Sequence, residues 1–582
     1  MNYRKVMLLV STSLCIAATP ALAQNFEPVT DEMLANPAPG DWPSWGRGLD
    51  NFRYSPLDQI NQDNVGQLQL AWARSMEPGQ NQSHPLAYNG VLYIASPGDV
   101  IQALDAATGD LIWEYRRALP EYLDDPINTL GERQRGIALY EDQLIFTSWD
   151  NHVVALDATN GTVNWETDRG EGDVGITNGM SPIIANGIVI NGSTCQFSPF
   201  GCYITGHDIE TGEEMWRNYP QPQPGEEGDD TWADSPMEAR WMTGVWGGIT
   251  YDPELDLVFY GSSAVGPASE TQRGMPGATM WGTNTRFAAR PQTGEIVWAH
   301  QVLPRDNWDM ECTFEMLSDT VNLNPSADMD GLWSINPDAE PGERRVQFGI
   351  PCKEGSFWAF DAAGGDYLYS RMTTYQDILA DIDETGHVTV NEDMILDVVG
   401  EPVLHCPSYN GGRPYHPAAY NPESKVYFIG LLNMCQESTP IDQEFTALDV
   451  YNVDSTRSLP EGYTNAGRLD AINVETGETV WSWEQESPTY APVAATAGGL
   501  VFYGDMNRYF RAHSQDTGEV LWETRLGSQA QGAPITYEAN GEQYVIMVAG
   551  GGGGAANIDA VAADLDPQTG GNMVYAFRLP RN

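Results

Sequence analysis

The chain has 582 residues, 81 of them acidic against 29 basic, and a formal charge of −52 at pH 7. That balance excludes nucleic acid as a partner, because phosphate binding needs the opposite sign. A hydrophobic content of 41% with 18 tryptophans excludes a disordered chain, and no long uncharged apolar stretch follows the first residues to insert into a membrane.

Taken from the start, Arg4 and Lys5 give a positive n-region, Val6 to Ala18 an apolar run of leader length, and Ala21-Leu22-Ala23 a small-residue cleavage site. This predicts a signal peptide over residues 1–23, a mature chain of one domain over residues 24–582, and export to the periplasm. Losing Arg4 and Lys5 with the leader takes the formal charge from −52 to −54.

A repeat then runs along the chain. Its first copy is Ala103-Leu-Asp105-Ala-Ala-Thr108-Gly109-Asp-Leu-Ile-Trp113, and its second runs from Ala155-Leu-Asp157 through Gly161 to Trp165. Asp208 with Thr211-Gly212 and Trp216, Thr293-Gly294 with Trp298, Thr476-Gly477 with Trp481, and Thr517-Gly518 with Trp522 continue it. Asp361, Gly365 and Tyr369 form a degenerate copy, and Trp72 closes an isolated early strand. The glycine marks a tight turn, a strand lies on each side, and the tryptophan sits where it packs on the neighbouring unit. Before each hairpin lies a β-rich run, such as Gly90 to Ser96, Gln143 to Trp149 and Tyr544 to Gly550. One such unit cannot bury its face alone, whereas stacked units can. The predicted architecture is all-β: an eight-bladed β-propeller with tryptophan-docking repeats, closed by joining Leu68 to Trp72 with Met573 to Leu579 in one blade. The long interval from Tyr369 to Trp481 holds insertions, which in such folds build sites on one face.

Beyond Cys15 in the leader, six cysteines remain. In an exported chain an even number points to disulfides. Cys195 with Cys202 closes a short loop and Cys406 with Cys435 brackets a strand, which leaves Cys312 with Cys352. Other pairings stay open.

The repeat resembles the docking motif of the PQQ-dependent alcohol dehydrogenases, and the resemblance covers nearly the whole mature chain. Gly192-Ser-Thr-Cys-Gln-Phe-Ser-Pro-Phe-Gly-Cys202, Val265-Gly-Pro-Ala-Ser-Glu-Thr-Gln-Arg273 and Leu303-Pro-Arg-Asp-Asn-Trp-Asp309 look most like the sorbose/sorbosone dehydrogenase branch. The resemblance implies Asp309 as catalytic base, since hydride leaves an alcohol carbon more readily once the hydroxyl proton is going. It implies Lys353 as the cation that polarises the reactive quinone carbonyl, and Trp246 as the aromatic floor under the flat cofactor. Arg135 matches the arginine that meets a cofactor carboxylate, and Ser193 with Thr194 the small pair beside it. Gln82 stands where the family has Glu, and Tyr490 where it often has Trp. For the metal, the implied ligands are Gln196, Asp309 and Glu311, with calcium expected and a lanthanide suggested by the acid two residues after the base. Three departures stand out: Thr129-Leu130 in place of an adjacent cysteine pair, Gln196 in place of a metal-binding Glu, and Ala264 in place of a metal-binding Asn. The run Gly550 to Gly554 lacks the Lys-Ser/Thr and helix of a phosphate loop.

No Cys-x-x-Cys-His string occurs, so electrons are expected to leave to a separate acceptor, a c-type cytochrome. The expected reaction is oxidation of a sugar or polyol such as sorbose, or of a bulky secondary alcohol such as the C3 hydroxyl of deoxynivalenol. The competing readings are a non-catalytic periplasmic propeller that scaffolds other proteins and a carbohydrate-binding propeller.

Overall fold

The computed structural model describes residues 26–581, apart from 125–131, 171–174, 196–200, 241–243, 443–451, 552–559, 566–567 and 569. The leader, Thr129-Leu130 and Gln196 therefore lie outside the described residues.

Strands dominate, and the α-helices described are short, Asp31–Ala35 and Glu270–Arg273. No helix among the described residues is long and apolar enough to cross a membrane. Among the described residues, eight sheets of four or five strands succeed one another along the chain, joined by hairpins, and two smaller sheets lie in the interval between Tyr369 and Trp481. Inner strands such as Val91–Ser96 are buried along their whole length, because they face neighbouring sheets on both sides. Outer strands such as Val163–Asp168 alternate between partial burial and exposure, as a half-covered sheet edge does. One sheet takes its outermost strand, Gln69–Ser75, from the N-terminal region and its remaining strands, Met573–Arg578, Glu542–Ala549 and Ile535–Ala539, from the C-terminal region. The two ends of the chain are thus tied by antiparallel pairing of Gln69–Ser75 with Met573–Arg578.

Side-chain chemistry explains the repeat. Asp105 Oδ1 accepts hydrogen bonds from the backbone N–H groups of Ala107 and Thr108, at 2.9 Å each, and Asp157 and Asp208 cap their own turns in the same way. This side-chain mimic of a backbone turn is the reason for the aspartate. The glycine then adopts positive φ, 75° at Gly161. It also lets the preceding unit's tryptophan close on the turn: a Cβ at Gly161 would stand 2.5 Å from Trp113 Cε3. The Trp113 indole N–H meanwhile donates to the Ala158 carbonyl of that next unit, at 3.0 Å. Trp165, Trp216, Trp298 and Trp481 reach across in the same manner. Tyr369 does so with its hydroxyl, onto the Val474 carbonyl. Trp522 differs, packing on Phe577 of the joined sheet at 5.2 Å.

Gly161→Ala is accordingly expected to lower stability measurably. The left-handed backbone costs a non-glycine residue about 1–2 kcal/mol, and the overlap with Trp113 adds about 1–3 kcal/mol. A thermal melt indistinguishable from that of the parent chain would contradict the packing role of this turn.

Candidate active site

The site is assembled from loops that leave one sheet and lean on the next. The segment after strand Ile296–Gln301 carries Asp309 and Glu311, and the segment after strand Gly342–Gly349 carries Lys353. The Cys312–Cys352 disulfide joins these two segments at the residues adjoining Glu311 and Lys353. Lys353 Nζ stands 3.0 Å from Asp309 Oδ2 and 2.8 Å from Glu311 Oε2, so one ammonium serves two carboxylates. Glu311 Oε1 accepts the indole N–H of Trp246 at 3.0 Å. Burial, opposed by Lys353 and reinforced by Glu311, pushes the Asp309 carboxyl well above the usual carboxylate range. Burial works against the Lys353 ammonium, but Asp309 and Glu311 outweigh it and hold its pKa above the usual lysine value. Asp309 Oδ1 has no hydrogen-bond partner among the described residues.

Trp246 is held on several sides. Phe314 and Tyr415 meet it edge-on at 5.8 Å, and the Arg135 guanidinium lies over its ring at 5.1 Å. The glycines after it, Gly247 and Gly248, let its segment run against Thr313 and Glu315, since a Cβ at Gly247 would overlap the Thr313 carbonyl. Their close approach is therefore to the loop bearing Asp309 and Glu311. Ser193 and Thr194 sit on strand Ile188–Cys195. The Ser193 carbonyl accepts from Val245 N at 2.9 Å and Thr194 pairs with Gly244, which fixes the backbone leading into Trp246. Ser193 Oγ itself donates to the Tyr203 carbonyl, 2.8 Å, and Thr194 Oγ1 to the Asn178 carbonyl, 2.9 Å. Gln82 Oε1 accepts from Arg135 Nε at 2.9 Å, and an amide suffices to orient that guanidinium.

Sequence reasoning missed Tyr415 and His416. Their rings lie 3.9 Å apart, Arg135 lies over Tyr415 at 5.5 Å, and His416 meets Tyr490 at 5.9 Å. They link Tyr490 to the Trp246 group. The only local signal is Gly411-Gly412-Arg413-Pro414-Tyr415-His416-Pro417, a loop string in a long insertion.

The described residues fit a flat, polyanionic cofactor. Arg135 is a buried cation, pushed down to about 10 by that burial, and desolvation lowers the neighbouring Arg133 as well; a buried charge calls for an opposite partner. Tyr415 Oη, both ring nitrogens of His416 and Arg133 Nε are buried atoms without a hydrogen-bond partner among the described residues. Trp246 offers an aromatic surface for stacking. For a metal, Asp309 and Glu311 already converge on one cationic atom, and hard carboxylate oxygens suit Ca²⁺ or a lanthanide. No group of three or more His, Cys, Asp or Glu side chains poised for a metal occurs among the described residues. The resemblance assigns a further ligand to Gln196, which lies outside the described residues, and Ala264, fully buried, has no ligating side-chain atom to offer. All three predicted disulfides are present, Cys195–Cys202, Cys312–Cys352 and Cys406–Cys435.

The family model for the PQQ-binding β-propeller domain of glucose, ethanol and alcohol dehydrogenases matches residues 42–319 and 467–545. The quinohemoprotein alcohol dehydrogenase ADH-IIG of Pseudomonas putida is 30% identical over 93% of this chain and 77% of its own length. The lanthanide-dependent methanol dehydrogenase of Methylorubrum extorquens is 28% identical over the full length of both chains. Among solved structures, a europium-containing methanol dehydrogenase superposes with a TM-score of 0.85 at 25% identity, covering 94% of this chain and 100% of the other. PQQ together with Ca²⁺ or a lanthanide is the cofactor set that fits. With the Asp309–Lys353–Glu311–Trp246 group and a family match over more than half its length, this chain belongs to the PQQ-dependent alcohol dehydrogenases, oxidoreductases built on a β-propeller.

Proposed function

We propose that this enzyme is an eight-bladed, tryptophan-docked periplasmic dehydrogenase that oxidises a sugar or polyol, or a bulky secondary alcohol, to the carbonyl compound and passes the electrons to a c-type cytochrome. The observation that carries the chemistry is the Asp309 carboxylate. Lys353 Nζ holds its Oδ2, and its Oδ1 has no partner among the described residues. Oδ1 is the atom that takes the alcohol's hydroxyl proton, and the raised basicity of the group favours that transfer. Bound PQQ supplies a two-electron acceptor for the hydrogen leaving the carbinol carbon. Lys353 keeps Asp309 and Glu311 in place and carries positive charge next to the reacting atoms. Trp246, Tyr415 and Phe314 wall the site with apolar surface and exclude water.

The substrate class rests on the sorbose-type strings at Gly192–Cys202, Val265–Arg273 and Leu303–Asp309, and on Thr129-Leu130 where relatives would place a cysteine pair. The missing cysteine pair is read as opening the pocket to ring-shaped alcohols. A panel of sorbose, a cyclic secondary alcohol such as deoxynivalenol, ethanol and methanol, run on PQQ- and metal-loaded protein with a neutral dye acceptor, tests this. The ring compounds are expected to give the higher kcat/KM, and a preference for methanol would overturn the substrate class. Absence of turnover with every alcohol would favour the scaffold or the carbohydrate-binding reading.

Metal removal has its own expected result. Stripping with a strong chelator abolishes turnover, and Ca²⁺ or a lanthanide added with PQQ restores it. Full turnover by metal-free, PQQ-loaded protein would remove the metal from the mechanism.

The formal charge of −52 supports a basic cytochrome as acceptor, since opposite charge raises the encounter rate and salt screens it over about 8 Å at physiological ionic strength. Reoxidation by a basic cytochrome is expected to slow steeply from low to high salt while the neutral dye stays level. A flat cytochrome rate would assign the acidity to solubility.

A further inference from the structure

The backbone around Asp309 is bent. Arg305, Asp309 and Glu311 have φ of 52°, 64° and 27°, a region that side-chain-bearing residues occupy only when their surroundings impose it. The device that imposes it is Asp306, 1% exposed. Its Oδ1 accepts from Trp308 N at 2.8 Å, and its Oδ2 from Met310 N at 2.7 Å and from Asn284 Nδ2 at 2.8 Å. The amides on either side of Asp309 are therefore both fastened to one carboxylate.

Asn284 carries the restraint into the fold. It is fully buried at the start of strand Thr285–Ala289. Its backbone N–H donates to the Ser263 carbonyl at 3.1 Å, and its carbonyl accepts from Val302 N at 2.9 Å. Its side-chain Oδ1 accepts from Cys312 N at 3.0 Å. One amide thus grips the turn at Asp306 on one side and at Cys312 on the other, with Asp309 and Glu311 between. Arg273 adds a bond from Nη1 to the Asp306 carbonyl, 2.8 Å.

We infer that Asp306 and Asn284 form a clamp of matched polarity that positions Asp309 for proton transfer, an inference that rests on Asp309 being the base. The polarity is dictated on both sides. Asn284 must present Oδ1 to the Cys312 N–H, so only its NH₂ is left for the partner, and the partner must be an acceptor. Asp306→Asn leaves one NH₂ facing the Trp308 or the Met310 N–H, donor against donor, and Asn284→Asp sets two carboxylates against each other, both in a dry site. Making both substitutions together restores the bond between positions 284 and 306. The amide then at position 306 keeps its oxygen for Trp308 N and donates its NH₂ across the pair at the expense of the Met310 bond, and the carboxylate then at position 284 receives it while still accepting from Cys312 N.

The test is this double-mutant cycle on PQQ- and metal-loaded enzyme, with hydrogen exchange of the 306–312 segment read in parallel on the apoprotein. Each single variant is expected to lower kcat by about 10- to 100-fold, the scale of a misplacement of about 1 Å, with KM changed by less than about threefold. Exchange at the Trp308 and Met310 amides accelerates in both. The exchanged pair regains protection at the Trp308 amide and part of the kcat lost in Asn284→Asp, while the Met310 amide stays fast. Should Asn284→Asp fail to fold, Asn284→Ala is expected to show the same kcat loss and faster exchange. Wild-type kcat and protection in the single variants, a change in KM alone, or an exchanged pair no better than the worse single variant would each overturn the clamp. Asp309→Asn, measured alongside, separates the two claims. Normal turnover there removes the base and the positioning role with it, whereas lost turnover there with unaffected clamp variants removes the positioning role alone.

Discussion

Asp309→Asn is expected to leave the fold and PQQ binding intact while turnover falls by about 10²-fold or more, the contribution of a positioned general base. The amide occupies the same volume, and its oxygen still accepts from Lys353 Nζ, which lies 3.0 Å from Oδ2 in the parent. What it lacks is a basic oxygen. In the parent, Oδ1 has no partner among the described residues, and burial raises its affinity for a proton. With the rest of the pocket unchanged, the loss is expected to fall mainly on kcat. Dye-coupled turnover beside a PQQ absorbance titration checks the point, and near-normal turnover in a PQQ-loaded Asp309→Asn protein would sink the assignment.

Lys353→Met is expected to cost both stability and activity. Asp309 and Glu311 share the Lys353 ammonium at 3.0 and 2.8 Å, and the three side chains keep only 14%, 9% and 12% exposure respectively. Deleting one partner of a buried ion pair leaves uncompensated charge, at a cost of about 3–5 kcal/mol. Here two carboxylates lose their cation together, and they respond partly by taking up protons. An Asp309 that is protonated cannot act as base, so turnover drops by about 10²-fold or more for the same reason as in Asp309→Asn. Lys353→Arg keeps the charge but replaces a compact ammonium by a planar fork, and is expected to recover more of the stability than of the turnover. Melting of the apoprotein with dye-coupled kinetics reads both effects. An unchanged melt in Lys353→Met would mean that the ion pairs contribute nothing to the fold.

Much of the architecture is legible in the sequence because its information is local. The aspartate, turn glycine and tryptophan of each repeat act within one hairpin and its immediate neighbour, so the string Ala103 to Trp113 already contains the turn cap, the left-handed residue and the ring that packs. Strand ends follow closely in places and less so in others: Gly90 to Ser96 is expected and Val91–Ser96 is observed, whereas the early strand expected to end at Trp72 runs on to Ser75. The even cysteine count anticipates disulfides, but it does not say that Cys312–Cys352 fastens the segment with Glu311 to the one with Lys353.

The site is a different matter. Asp309, Trp246 and Lys353 are recognisable by resemblance, but only the fold shows Lys353 held between two acids. The glycines after Trp246 bring its segment close to Thr313 and Glu315, a contact visible only in the fold. Tyr415 and His416 lie in an insertion with no periodic signal, and Asp306 looks like an ordinary loop acid until its hydrogen bonds with Asn284, Trp308 and Met310 are seen.

By itself, then, the sequence determined the all-β class and the hairpin repeat, because turns and strand alternation depend on neighbours a few positions apart. Tertiary structure alone decided which charges meet. Lys353 reaches Asp309 and Glu311 and Arg135 lies over Trp246 because loops from different sheets are brought together when the sheets stack, and Asn284 grips the turn at Asp306 across the loops of one sheet. Contacts of that kind join residues tens to hundreds of positions apart, and burial then sets their charge states, so no local pattern in the chain records them.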